Sequence, residues 1–518
     1  MSDAPAHGVP TAADKPAEAS SRWRRVPRVA AVAAFAVAAF FILRVHANRY
    51  PPPLAGDVWE HWLIAESFHQ HGTPDLRDGD IPPVYSETPR YQYPQPPVHP
   101  HAYARAPDGR LYGVHFWGYA LSGVPAKEFL RRTGRSELAW PGLTNALWFI
   151  FALGVVLFGS SSPVGERLAL VGLASAGPAW VYVGWPGPEL YTWAFVLIAV
   201  ACFRDRRYVW SGIAVGLGAL QNPPVILFAM APVLAAALER RWRAAAGAAV
   251  GGAIGMAPYA FFLYHFGKPN LIAEDFVRIE FLSWVRTWSQ LTDFNQGVLP
   301  YAPLLLVGAG FGAARLVYRR DRRGLLLLGA SVAVALGTQV SRNWNSQCDG
   351  LQRYLVWLLP MFAAITVTGF GGRRLWAFAA VAVVVHASLV PIYRKLDPYT
   401  QGCLGHGPVA RWVLTNCPRA YWVEPEVFVE RTRQEDNWPM TPSALPVGYA
   451  RPDGTVSKML VDPENVDAAG VTYEVEPAYL VALRSEAVGK RGPFFVHPPR
   501  GAVRVRPPTT PLPPPPSP

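Results

Sequence analysis

The chain is poor in the residues on which many enzymes and small secreted proteins depend. Only 16% of its 518 residues are charged, six are lysines and four are cysteines. Four cysteines in a chain of this length exclude a dense disulfide framework, and six lysines leave few candidates for covalent lysine chemistry. The sequence has neither a P-loop nor a glycine-rich dinucleotide motif, which argues against a nucleotide-dependent enzyme.

Hydrophobic residues make up 51% of the chain and recur in long runs. Repeated apolar runs of roughly 17–20 residues are typical of transmembrane helices and not of soluble proteins. The expected fold class is therefore an α-helical multi-pass membrane protein with about 11 spans. We place the spans near 26–45, 139–158, 166–184, 188–203, 209–221, 223–238, 245–264, 298–317, 324–340, 351–370 and 375–392.

Basic clusters between the predicted spans give the chain an orientation. The net charge is +12, and the connections at 204–207, 240–243, 319–323 and 373–374 are strongly basic. If the N-terminus lies in the cytoplasm, all four clusters fall on the cytoplasmic side, where Lys and Arg collect. The basic charge therefore indicates topology in the cell inner (plasma) membrane, and no nucleic-acid partner is expected.

Two polar regions flank the predicted membrane domain of 26–392. Residues 1–25 are rich in Ala and Pro, and we predict a disordered cytoplasmic N-terminus. Residues 393–500 are long enough for a small external domain, and 501–518 read as an extended proline-rich tail. Cys403 and Cys417 are the natural disulfide pair in this region, although the sequence leaves the connectivity open.

The largest predicted loop, 46–138, lies outside the cytoplasm. Within it, 111–130 is nearly long enough to span, but a span there would invert every later loop. We therefore interpret 111–130 as one helix at the outer membrane interface, where its aromatic residues are typical.

Three polar residues at the start of this loop are the first candidates for chemistry. Asp57, Glu60 and His61 are spaced so that they share one face of a short helix. A carboxylate just outside the first span is well placed to accept a proton from an acceptor hydroxyl, and Asp57 is the first choice. The alternative is that Asp57 only caps the helix.

Histidines are concentrated in the same loop. His69, His71, His99 and His101 could supply ligands for a divalent metal ion beside Asp57 or Glu60, but their spacing matches no defined zinc motif. Solvated or structural histidines are the alternative, and no cofactor is firmly expected.

Two further charged residues stand at the outer ends of predicted spans. Glu189 follows Pro186-Gly187-Pro188, and it either lines a cavity or belongs to the interface. Arg353 lies in the external turn with Arg342, against the positive-inside tendency. An arginine there can clamp a phosphate through its planar fork. The alternative is an ion pair with Asp349 or another external carboxylate.

Four segments in this order resemble a known family. They are Gly56-Asp57 with Ala-Glu-Ser-Phe-His-Gln-His-Gly, Asp108-Gly-Arg-Leu-Tyr112-Gly-Val-His115, Trp185-Pro-Gly-Pro-Glu189, and Gly350-Leu-Gln-Arg353-Tyr354-Leu. Over 26–392 the chain resembles GT-C type glycosyltransferases, nearest to the bacterial mannosyltransferase and aminoarabinose transferase group of the protein O-mannosyltransferase family. The Lys-Pro-Pro of some relatives is missing, and His115-Phe-Trp stands in that region.

The resemblance implies transfer of a sugar from a polyprenyl-phosphate donor to a glycan, lipid or protein acceptor at the outer membrane face. It makes Asp57 the general base, with Glu60 as second candidate. Arg353 and Arg342 would stabilise the charge on the departing phosphate. His61, Tyr112, His115, Glu189 and Tyr354 are the other residues expected to bind substrate.

Two other classes stay open on the sequence alone. One is a transporter or flippase for a lipid or polysaccharide, which usually carries ionisable residues deep in its spans. The other is a non-catalytic scaffold in an envelope assembly. The predicted spans are almost free of charge, which favours group transfer at the outer face.

Overall fold

A computed structural model describes residues 17–48, 57–77, 80, 103–272, 277–341, 344, 351–393, 405–435 and 441–506. Several predicted features lie outside these ranges, namely Arg342, His99, His101, Cys403, Asp349, residues 1–16 and the tail after 506. The predictions that concern them stay predictions.

Helices form most of the described chain. In order they are α1 Ala17–Ala47, α2 Asp57–His71, α3 Gly118–Arg132, α4 Trp140–Gly154, α5 Val164–Ser175, α6 Pro178–Val183, α7 Glu189–Arg204, α8 Tyr208–Ala219, α9 Met230–Leu238, α10 Trp242–Ala253, α11 Ala257–Phe266, α12 Trp284–Thr292, α13 Val298–Tyr301, α14 Pro303–Arg319, α15 Arg322–Gln339, α16 Leu359–Phe370, α17 Gly372–Tyr393, α18 Pro408–Asn416, α19 Pro425–Arg433, α20 Ala468–Thr472 and α21 Pro477–Ala487. Short 3-10 segments precede α9 at Pro223–Ala229 and α16 at Arg353–Leu358.

Five of the described helical segments are long and apolar enough to cross a bilayer. They are Ala30–Ala47, Glu137–Gly159, Trp242–Phe266, Arg353–Phe370 and Gly372–Pro391. The chain is thus a helical protein with membrane-spanning candidates, as the sequence predicts.

The other predicted spans also contain helix, but two of them are interrupted. The 166–184 run breaks where Gly177 has φ +92° and Pro178 starts the next helix. The 298–317 run breaks before Pro303, which occupies the first turn of α14, a position that suits proline.

Two predicted boundaries were wrong. Helix α1 begins at Ala17, so residues 17–25 are helical and not disordered, consistent with their content of Ala, Glu and Arg, which favour helix. The segment 111–130 is not one helix, because Leu111–Gly113 forms a strand and α3 starts at Gly118.

A small antiparallel sheet lies between α2 and α3 in the chain. Strand β3, Leu111–Gly113, lies between β1, Asp75–Leu76, and β2, Tyr103–Arg105. Strands β2 and β3 are joined through Gly109, whose φ of +86° is a conformation that favours glycine. The sheet holds the chain from Gly113 onward against α2.

Helix α3 is joined to α2 by a buried charge cluster. The Lys127 ammonium is fully buried, forms an ion pair with Glu66 of α2 and lies 3.1 Å from Glu137 Oε2. It also stands 3.8 Å from the centre of the Trp62 ring. These contacts fix α2, which carries Asp57, to α3 and to the segment before α4.

The C-terminal part forms a separate α/β unit. Strands β4 Val447–Ala450, β5 Val456–Val461, β6 Tyr473–Val475, β7 Phe494–Val496 and β8 Val503–Val505 make a three-stranded sheet, β4-β5-β7, and a pair, β6-β8. Because β8 lies beyond residue 500, the unit extends past the predicted boundary.

A buried polar turn connects this unit to the helical part of the chain. Asn295 accepts a hydrogen bond from the backbone N–H of Gly407 at 2.8 Å and donates to the hydroxyl of Tyr421 at 2.6 Å. Next in the chain, the Gln296 carbonyl accepts from the backbone N–H of Gln352 at 2.9 Å. The hydrogen bonds of Asn295 and Gln296 therefore link the C-terminal unit to Gln352, the residue before Arg353.

Candidate active site

The side chain of Arg353 joins residues from three distant parts of the chain. Its Nη1 lies 3.0 Å from Oδ2 of Asp57, the first residue of α2, and 3.8 Å from Oε1 of Glu189, the first residue of α7. Its Nη2 donates to the Tyr354 hydroxyl at 2.9 Å. The guanidinium therefore occupies the space between two carboxylates.

A histidine occupies the other side of Asp57. Nδ1 of His115 forms a short hydrogen bond with Glu60, while Nε2 lies 3.8 Å from Oδ1 of Asp57. The second oxygen of Glu60 accepts the backbone N–H of His115 at 2.7 Å. Glu60 thus binds both the ring and the backbone of His115 and fixes the direction in which Nε2 points.

The close contact between α2 and this loop requires a glycine. A Cβ at Gly113 would stand 2.5 Å from Oε1 of Glu60 and 2.7 Å from Cδ1 of Ile64. Any other residue would push Glu60 away from His115. Tyr103 of β2 supports the same place, since its hydroxyl donates to the Glu60 carbonyl at 3.3 Å.

His61 belongs to the same cluster through contacts between aromatic rings. Its ring centre lies 5.9 Å from that of His115 and 5.6 Å from that of Tyr119. Burial, helped by the charged His115 nearby, lowers the pKa of His61 to about 3. His61 is therefore a neutral ring against the back of the site.

The pKa values of Asp57 and Glu60, the two predicted carboxylates, are shifted in opposite directions. Burial disfavours charge on Asp57, but His115 and Arg353 outweigh it and hold the pKa of Asp57 well below its usual range. Burial raises the pKa of Glu60. Burial also opposes charge on His115, yet Glu60 and Asp57 raise the pKa of that ring to about 9. At neutral pH the site presents two cations on either side of an ionised Asp57.

Access also distinguishes Asp57 from Glu60. The Asp57 side chain is 39% exposed, whereas that of Glu60 is 1% exposed and both its oxygens accept from His115. Asp57 can therefore meet a substrate, and Glu60 can act only through His115.

Some predicted residues do not join this cluster. The Tyr112 ring packs against Phe261, His265 and Phe266, which makes it part of an aromatic core. Its neighbour Gly113 faces Glu60, as expected when successive strand residues point to opposite faces.

The described histidines do not form the metal site that the sequence left open. His69 bonds to Glu128 and His71 to Asp80, away from Asp57. Among the described residues no group of three or more His, Cys, Asp or Glu is arranged to hold a metal ion, and the guanidinium of Arg353 fills the space between the carboxylates.

Three supporting residues escaped the sequence analysis. Gly113 and Tyr103 fix Glu60, and Asn145 of α4 donates to the carbonyls of Trp185 and Gly187, which shapes the turn before Glu189. Gly113 lay inside a quoted motif, but only the approach of α2 shows why a glycine is required there.

Comparison of the chain with protein-family models, with curated proteins and with solved structures gives no match.

The charged His115 is expected to make stability depend on alkaline pH. Its pKa is raised from 6.5 to about 9 in the fold, so its stabilising effect is complete below the unfolded value and is lost as pH rises through about 9. The loss should disappear in His115→Gln. Melting temperatures of both proteins between about pH 6 and pH 10 test this, and parallel curves would show that His115 is uncharged in the fold.

Proposed function

We propose that this chain is a membrane glycosyltransferase that moves a sugar from a polyprenyl-phosphate donor to a cell-envelope acceptor at the outer membrane face. One observation carries the proposal: Arg353 and His115 flank Asp57, whose side chain is partly exposed. Two fixed cations suit a lipid phosphate, and a carboxylate between them suits an acceptor hydroxyl. In the proposed topology about eleven spans carry the site on the external side of the plasma membrane.

The proposed reaction is a single displacement at the anomeric carbon. Asp57 takes the proton of the acceptor hydroxyl, whose oxygen forms the new bond to the sugar. The bond between the sugar and the phosphate breaks, and its electron pair leaves with the lipid phosphate, which Arg353 and His115 stabilise. The configuration at the anomeric carbon is inverted.

Donor binding also prepares the base in this scheme. While Nη1 of Arg353 is bonded to Asp57 at 3.0 Å, the carboxylate is a weak base because its pKa is low. A phosphate that accepts this hydrogen bond releases Asp57, and its pKa then rises. Asp57 therefore becomes a better base only when the donor is bound, with Glu60 positioning His115 throughout.

Asp57→Asn is the first test, because Asn keeps the size of the side chain and loses the base. We expect kcat for sugar transfer by purified protein in lipid to fall about 10²–10⁴-fold. Asp108→Asn is a matched control, since Asp108 lies in the same loop and its side chain is 43% exposed.

The outcomes separate the readings of the site. Transfer retained in Asp57→Asn would leave Asp57 as a residue that only orients Arg353. Transfer from no polyprenyl-phosphate donor by the wild type would favour the transporter or scaffold class.

His386 is the observation that supports a transporter as second candidate. It lies in Gly372–Pro391, its residue is fully buried, and neither ring nitrogen has a hydrogen-bond partner among the described residues. An intramembrane histidine can belong to a proton or substrate path. If His386→Leu abolishes lipid or glycan movement across vesicles while no transfer is detected, the transporter is the better assignment.

A further inference from the structure

The three turns after α7, α9 and α14 have the same unusual backbone. In each, an arginine has positive φ: 59° at Arg206, 57° at Arg240 and 51° at Arg320. In each, the following N–H bonds to a carbonyl five residues back, as from Arg207 to Cys202 at 2.8 Å, from Arg241 to Ala236 at 2.8 Å and from Asp321 to Leu316 at 3.1 Å. This is the Schellman helix ending, in which glycine normally occupies the left-handed position.

An arginine in that position is a less stable choice than glycine. A left-handed conformation is less favourable for an ordinary residue than for glycine, and the same cost recurs at three turns. The turns therefore retain charge where the backbone favours glycine. Backbone strain of this kind commonly persists where the side chain has a task.

The three turns meet at one carboxylate. Glu239 lies 4.0 Å from Nε of Arg206, 3.8 Å from Nη1 of Arg241 and 4.0 Å from Nε of Arg323, and it accepts the Tyr208 hydroxyl at 2.7 Å. Arg204 is nearly buried and pairs with Glu166, so it does not belong to this surface. Residues 205–207, 239–243 and 319–323 together hold nine arginines and three acidic residues. One shared carboxylate cannot balance this surface, which we call the basic surface.

Its surroundings indicate a membrane interface. Trp210 is 63% exposed, Trp242 67% and Tyr318 88%, and each lies within three residues of a basic turn. Exposed Trp and Tyr beside arginines are typical of the headgroup level of a bilayer. Helix α7, about 22 Å long, carries Glu189 at one end and Arg204 at the other. The basic surface is thus at the opposite end of the bundle from the candidate active site.

We propose that the basic surface binds the headgroups of anionic phospholipids in the membrane leaflet at that end. The left-handed Arg240 and Arg320 add two cations to those gathered around Glu239, and a phosphate matches the planar fork of a guanidinium group. This inference does not rest on glycosyl transfer.

The test uses the full chain in detergent, with native mass spectrometry to measure retained phosphatidylglycerol and phosphatidylcholine. The key variant carries Arg206→Gly, Arg240→Gly and Arg320→Gly, which removes three charges while easing the backbone. Each charge contributes about 1 kcal/mol at an anionic surface, so affinity for phosphatidylglycerol is expected to fall about 10²-fold. The melting temperature should hold or rise, because glycine suits these positions.

Two further variants sharpen the result. The three-lysine variant keeps the charge and the strain, and we expect it to retain phosphatidylglycerol. The three-asparagine variant tolerates the left-handed backbone without charge, and we expect it to behave like the glycine variant. Unchanged retention in both neutral variants would overturn the proposal and leave the arginines as topology signals. Equal retention of phosphatidylcholine, or displacement of the lipid by millimolar inorganic phosphate, would also overturn it.

Discussion

Arg353→Lys is expected to lower kcat/KM for sugar transfer by about 10²–10³-fold, although it keeps the positive charge. The arginine reaches Asp57, Glu189 and the Tyr354 hydroxyl at once, at 3.0, 3.8 and 2.9 Å. A lysine ammonium has no planar fork and cannot span the same three positions. The measurement is transfer from a polyprenyl-phosphate sugar, together with the affinity for the free polyprenyl phosphate.

A matched exchange controls for the change of residue type. Arg110 lies between β2 and β3, and its side chain is 56% exposed, so Arg110→Lys should leave transfer unchanged. Arg353→Ala should in addition lower the melting temperature, since it leaves the buried Glu189 without its cation. If Arg353→Lys transferred sugar at the wild-type rate, a phosphate clamp at this position would be contradicted.

Local spacing was enough to predict the helix that carries the candidate base. The positions of Asp57, Glu60 and His61 predict one face, and α2 runs from Asp57 to His71, just before Gly72. Gly72 has φ +73°, as expected for a residue that ends a helix. These features depend only on neighbours within a few residues.

The pairing of Arg353 could not be predicted in this way. Its predicted position at an outer span end indicated a phosphate clamp, and the alternative was an ion pair with Asp349 or another external carboxylate. In the structure Arg353 bonds to Asp57, which lies 296 residues away in sequence. Contacts of that range follow from the packing of whole helices, which one sequence does not specify.

Short strands were missed for a different reason. Strands β2 and β3 have three residues each, too few for alternation to be visible, so 111–130 was interpreted as one helix. That error also misplaced Tyr112, which the strand turns away from the site. In the C-terminal unit β6, β7 and β8 also have three residues each, β4 has four, and β5 has six, all of them buried.

Replacing Lys127 with alanine is expected to lower the free energy of unfolding by about 3–5 kcal/mol, the effect of leaving buried carboxylates unpaired. The ammonium is fully buried and is shared by Glu66 and Glu137. Its loss therefore leaves the nearly buried Glu66 of α2 without its cation. Chemical or thermal unfolding in detergent measures the change. Because α2 carries Asp57 and Glu60, we also expect weaker transfer at temperatures where the variant is still folded.

The double variant Lys127→Met with Glu66→Leu decides whether the charges themselves matter. A buried ion pair replaced by apolar residues of similar volume is often neutral or stabilising, so the double variant should recover most of the stability lost by Lys127→Ala. Arg132→Gln is the surface control, since Arg132 is 77% exposed, pairs with Glu128 on the same helix, and surface pairs contribute little. If Lys127→Ala and Arg132→Gln lowered stability equally, the buried cluster would have no special role in fixing α2, and the geometry around Asp57 would have to be held by other contacts such as the β1–β3 sheet and Gly113.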